Sequence, residues 1–119
     1  MIGPRVRSVL LRGVQSKRLP EDAPPVRAEW RGTVLAESSE VRAASGYLYF
    51  PPHSVRWEHL TPSDHHTTCP WKGLADYYHV EVDGGRNANA AFSYPNPLPK
   101  AEDLAGWVAF WGGVKIRRG

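Results

Sequence analysis

The chain is poor in sulfur, with Met1 its one methionine and Cys69 its one cysteine. A lone thiol excludes an intramolecular disulfide and lends no support to an oxidising compartment. Long apolar runs are missing as well. Near the start the longest is Val9-Leu10-Leu11, shorter than a signal-peptide core or a membrane span requires. The expected setting is therefore soluble and cytoplasmic, with no membrane partner. There is no C-x-x-C pair, no P-loop and no dinucleotide fingerprint; Gly84-Gly85 and Gly112-Gly113 read as hairpin turns instead. His59, His65, His66 and His79 lie near Cys69 in sequence. Without paired ligand motifs they read as solvated loop histidines, and no metal is expected. Thr61-Pro62-Ser63-Asp64 reads as a turn or helix cap, since catalytic triads are assembled in space rather than from chain neighbours.

What the chain does have is rings. Five Trp, five Tyr and three Phe among 119 residues, with 41% hydrophobic residues overall, point to one domain whose core or cleft is built from aromatics. The formal net charge is +3. Much of the positive charge sits at the ends, in Arg5, Arg7, Arg12, Lys17 and Arg18, then Lys115, Arg117 and Arg118. These are either solvated termini or a phosphate-binding surface. With no basic helix or nucleic-acid motif beside them, nucleic acid is disfavoured as a partner.

Residues 1 to 25 read as an extended arm, broken by Pro20, Pro24 and Pro25, and residues 26 to 119 as a single β domain. From Val26 the pattern has a period of two. Val26, Ala28 and Trp30 alternate with charged residues, Gly32 turns the chain, and residues 33 to 37 return as a strand. Further strands are expected at 47 to 50, 55 to 60, 76 to 83 and 90 to 94. A terminal hairpin is expected from 107 to 111 and 114 to 117 about Gly112-Gly113. In the strand after Asp76, Tyr78, Val80 and Val82 fall on one face and Tyr77, His79 and Glu81 on the other. One short helix is expected near 100 to 106, opened by Pro99 and closed by Gly106. The fold class is all-β, mainly antiparallel, with about seven to nine short strands in curved sheets.

The string with the most chemistry is Cys69-Pro70-Trp71-Lys72-Gly73. It sets a thiol, a ring and an ammonium beside a glycine that lets the backbone approach a ligand. Cys69 is a packing thiol or a nucleophile favoured by positive neighbours. Lys72 would serve an anionic ligand as a compact point charge. Trp71, Tyr77, Tyr78, Tyr94 and Trp111 are candidate cleft residues, because Trp and Tyr combine an apolar body with a polar handle. Phe92 and Trp107 are assigned to the core.

Tyr49-Phe50-Pro51-Pro52, Pro62-Ser63, Thr67-x-Cys69-Pro70-Trp71-Lys72-Gly73-x-Ala75-x-Tyr77-Tyr78, Ala90-Ala91-Phe92-x-Tyr94-Pro95-x-Pro97 and Gly106-x-Val108-Ala109-Phe110-Trp111 follow one another in this order. Together they resemble the domain of unknown function 427 family, from about Val26 to Ile116. The resemblance implies a small, mostly β domain laid out like zinc-binding β-tent folds but without their paired cysteines. It also brings the label nucleotidyltransferase. Ala43-Ala44-Ser45 stands where relatives often carry Glu before Gly46, Phe92 replaces a usual Trp, and Gly112 replaces a usual Lys. Without that acid and that lysine, an acid–lysine catalytic pair loses support. Binding of a small anionic or nucleotide-like ligand in an aromatic cleft around Lys72 is the expected function. The alternative is an enzyme: a nucleotidyltransferase using Mg²⁺, with Glu58, Asp64 and Asp76 as candidate acids, or one dependent on Cys69. Lys72 and Cys69 are the catalytic candidates on that alternative. No cofactor is required otherwise, and a homodimer is left open.

Overall fold

The computed structural model describes residues 17, 18 and 24 to 118. The rest of the expected arm lies outside the described residues. The strands are β1 (Lys17–Arg18), β2 (Val26–Trp30), β3 (Thr33–Ser38), β4 (Arg42–Ala44), β5 (Tyr47–Phe50), β6 (Leu60–Cys69), β7 (Gly73–Val82), β8 (Gly85–Ser93), β9 (Val108–Phe110) and β10 (Lys115–Arg118). They form a seven-stranded sheet in the order β1-β4-β5-β9-β8-β7-β6 and a three-stranded sheet in the order β10-β2-β3. Every strand pairing is antiparallel. The all-β, mainly antiparallel expectation holds.

Three hairpins turn on two consecutive residues with positive φ: Arg31-Gly32, Ser45-Gly46 and Asp83-Gly84. That is the type I′ geometry, whose twist matches the strands it joins. The alternation read from sequence then sorts the side chains. Phe50, Val80, Val82, Val108 and Phe110 leave the large sheet on one face and pack with Val26, Ala28, Leu35 and Ala36 of the small sheet. This is the main core, and it uses the one face each sheet must bury.

The opposite face of the large sheet holds a second cluster. Tyr49, Ala109, Phe92 and Tyr77 are successive cross-strand partners over β5, β9, β8 and β7. Ala109 is small, so the rings on either side of it meet across its strand; Tyr49 and Phe92 stand edge to face with centroids 6.0 Å apart. Ala101 and Leu104 cover this cluster from the segment after β8.

Four local expectations are corrected. The short helix is a 3-10 segment, η3 (Pro99–Leu104), interrupted by non-helical backbone at Ala101. Residues 55 to 60 are not a strand: Trp57–His59 form a 3-10 turn (η2), and only Leu60 enters β6. Thr61 to Asp64 belong to β6, an edge strand, where a proline is tolerated; the register shifts between Pro62 and His66. The terminal hairpin does not form. β9 stays in the large sheet while β10 crosses to the small one and pairs with β2, because Gly112 and Gly113, both at positive φ, redirect the chain. Lys17 and Arg18, from the expected arm, pair with Arg42 and Ala43.

Candidate functional site

β6 ends at Cys69 and β7 begins at its cross-strand partner Gly73, so Pro70, Trp71 and Lys72 form the hairpin tip. Gly73 has φ of +107°, a conformation that side chains resist. A Cβ there would also come within 3.4 Å of the Leu98 nitrogen. Leu98 N–H donates to the Lys72 carbonyl at 3.0 Å, which ties the tip to the segment leading into η3.

The Lys72 side chain is thereby held over the aromatic face, only 4% exposed. Its Nζ lies 5.0 Å from the ring centroid of Trp71, 5.4 Å from Tyr94 and 5.9 Å from Tyr49. Each contact is within cation–π range. Burial pulls the Lys72 pKa down, because a low-dielectric surrounding disfavours the ammonium; the neighbouring Cys69 acts in the opposite direction. Among the described residues no carboxylate forms an ion pair with Lys72.

Phenols complete the enclosure. Phe92 is the hub, with ring centroids 5.2 to 6.2 Å from Tyr47, Tyr49, Tyr77 and Tyr94. Tyr94 is buried, and its pKa is pushed up to about 12, first by desolvation and then by Cys69, Tyr77 and Tyr47. Tyr49 is fully buried and raised further from the same leading cause. Its hydroxyl lies near that of Tyr94 without a hydrogen bond of ordinary length and angle. Tyr77 is half-buried, shares a 3.1 Å hydrogen bond with Thr67 Oγ1 and stacks edge-on to His65. Tyr47 is 38% exposed, and Cys69, Trp71 and Tyr77 are half-buried, so the rim of the cluster reaches solvent.

The structure thus brings together Cys69, Trp71, Lys72, Tyr77 and Tyr94. Tyr78 points to the other face, edge-on to Trp57 and packed on the main core. Trp111 lies beyond β9, exposed, its indole N–H donating to the Asn89 carbonyl at 2.6 Å. Tyr49 and Tyr47 were not singled out from sequence, although their same-face spacing in β5 carried the signal. Phe92, assigned to the core, is both core and the hub of the site.

The polar groups gathered here are an ammonium and hydroxyls, with a thiol beside them. An ammonium only donates, and raised phenols stay protonated as donors. Such a set can receive an anion. The acids considered for Mg²⁺ do not gather: Glu58 is exposed in η2, Asp64 is exposed in β6, and Asp76 pairs with His66 at 3.0 Å. Among the described residues no group of three or more His, Cys, Asp and Glu side chains is arranged to hold a metal ion. The donor set does not fit Mg²⁺. The histidines are likewise dispersed: His79 Nδ1 accepts from Asn89 N–H, and His59 Nδ1 meets the Glu81 carbonyl.

Fold and site define a class: a small two-sheet antiparallel β domain that holds a buried lysine among tyrosines on the face turned away from its main core. The chain belongs to the family described as domain of unknown function (DUF427), whose model matches residues 18–117. No curated protein matches the chain. Among the described residues no helix is long and apolar enough to cross a membrane.

Proposed function

We propose that this domain binds a small molecule through one compact anionic group, a carboxylate or phosphate, held by Lys72 and framed by Trp71, Tyr49, Tyr77 and Tyr94. A nucleotide-like ligand is included, its base stacking on the half-buried rings. The observation that carries the reading is the Lys72 ammonium, 4% exposed and caged by three rings with no carboxylate paired to it among the described residues. A buried charge without a counterion is costly, and an arriving anion relieves that cost. Burial strengthens the attraction once the anion is in place. Cys69 packs at the edge and tunes the lysine. Mg²⁺-dependent nucleotidyl transfer, which the family label suggests, lacks gathered acids here.

The test is ligand-induced thermal stabilisation with phosphate, pyrophosphate, AMP, ATP and small carboxylates, which reports affinity by mass action. At least one class should raise Tm in the wild type. Lys72→Met should lose the response, because a charge-assisted hydrogen bond contributes about 1.5–3 kcal/mol, or roughly 10- to 100-fold in affinity. A Lys72→Met protein that responds fully would show that the anion binds elsewhere.

A further inference from the structure

The basic C-terminal stretch takes no part in the Lys72 site, but the fold builds it into a groove. β10 pairs with β2, so Lys115 lies opposite Glu29 and Arg117 opposite Arg27. The result is a concavity of about 340 Å³ lined by Glu29, Trp30, Arg31, Lys115, Arg117 and the backbone at Gly32 and Gly113. That volume is at the small end of ligand pockets.

Its charges are not all free. One Glu29 oxygen accepts from Arg27 at 3.0 Å and the other pairs with Arg117 at 2.9 Å. Both oxygens of the one acid in the groove are therefore committed to arginines. Arg31 and Lys115 have no acidic partner among the described residues. The Arg31 guanidinium stands 5.5 Å from the Trp30 ring centroid and also lies against the Gly85 backbone of the neighbouring turn. The cations outnumber the acid, and a tryptophan forms one wall.

We infer that this groove is a second ligand site, for a small phosphate monoester carrying a planar ring, of the nucleoside monophosphate class. Arg31 and Lys115 take the phosphate; an arginine fork matches phosphate oxygens bidentately and a lysine adds a point charge. Trp30 stacks the ring. The site shares no residue with the Lys72 cluster.

The experiment is a ¹H–¹⁵N NMR titration of the full chain with AMP and, separately, with inorganic phosphate. AMP should shift the Trp30 indole and the Gly32 and Gly113 amides saturably. Phosphate alone should move the amides and leave the indole in place. The Arg31→Gln/Lys115→Gln double variant changes exposed side chains and should bind AMP at least 10-fold more weakly at these signals, while Lys72→Met should leave them unchanged. Unmoved signals, or a double variant that binds like the wild type, would overturn the assignment. So would a single-stranded oligonucleotide that shifts the same signals at much lower concentration than AMP, since the groove would then be a nucleic-acid surface. Loss of the Lys72 response with these shifts retained separates the two sites.

Discussion

Replacing Lys72 with methionine should cost the fold little and could strengthen it. Methionine keeps the length and volume of the lysine stem, and its sulfur retains favourable contact with the rings of Trp71, Tyr94 and Tyr49 that now surround Nζ at 5.0 to 5.9 Å. The cation–π contribution lost is about 0.5–2 kcal/mol, and the sulfur–aromatic contribution gained is about 0.3–1.5 kcal/mol. The desolvation penalty of the buried ammonium also disappears, so the net change should fall within about 1 kcal/mol of zero or favour the variant. Lys72→Ala behaves differently. Relative to the methionine variant it loses three buried heavy atoms, each worth about the 0.8 kcal/mol of a methylene, near 2.4 kcal/mol in all. For a domain of this size that is a fall in Tm of roughly 7–14 °C. Urea unfolding of the three proteins at neutral pH is the assay. The pH dependence adds a signature. The folded-state pKa of Lys72 is lowered by burial, so between that value and the unfolded value the unfolded chain holds more protons, and stability rises with pH across the window. The methionine variant should lack this rise. If Lys72→Met destabilises as much as Lys72→Ala, the ammonium is a structural partner rather than an uncompensated charge.

Gly73→Ala should cost about 1–3 kcal/mol, because φ of +107° strains any side chain there, and should also displace Lys72; chemical denaturation and the anion response should fall together. Tyr49, Tyr78 and Tyr94 all have raised pKa values, so tyrosinate absorbance in native protein should show them still protonated after pH passes the ordinary phenol value of about 10. The unfolded chain releases those protons first, so stability should fall as pH climbs above about 10, and a native titration in which all tyrosines ionise together near 10 would contradict the burial of the cluster. Asp103→Ala breaks the 3.2 Å pair between η3 and Arg42, which also stands over the Trp107 ring; the expected loss is about 1–2 kcal/mol in urea unfolding, with the Lys72 titration unmoved.

Particular residues show how far the sequence could be read. Alternation separated Tyr78, Val80 and Val82 from Tyr77, because side-chain direction in a strand is a local property, but it did not say which face meets the core, and Tyr78, expected in the cleft, packs on the main core instead. The same rule did not reveal that β5 lies two strands from β8, which is what brings Tyr49 beside Phe92 and under Lys72. That adjacency depends on long-range pairing through β9. Gly112-Gly113 has hairpin composition but sends β10 to the other sheet, since a turn signal does not choose the partner strand. The burial of Lys72 was equally hidden: lysines are ordinarily exposed, and only the Leu98 bond to the tip and the glycine at 73 turn this one inward. Trp111 looked like a cleft residue by type, yet the bend after β9 leaves it outside.

On the proposed reading, Lys72 is a buried cation that receives an anion. The most direct measurement is the pH titration of its Cε and Nζ NMR signals in the free protein and with the stabilising anion bound. The free protein should titrate below the ordinary lysine value, and the complex should titrate higher, because the bound anion favours the ammonium. A Lys72 that titrates at the ordinary value when free, or whose titration is unmoved by the anion that stabilises the protein, would contradict the account.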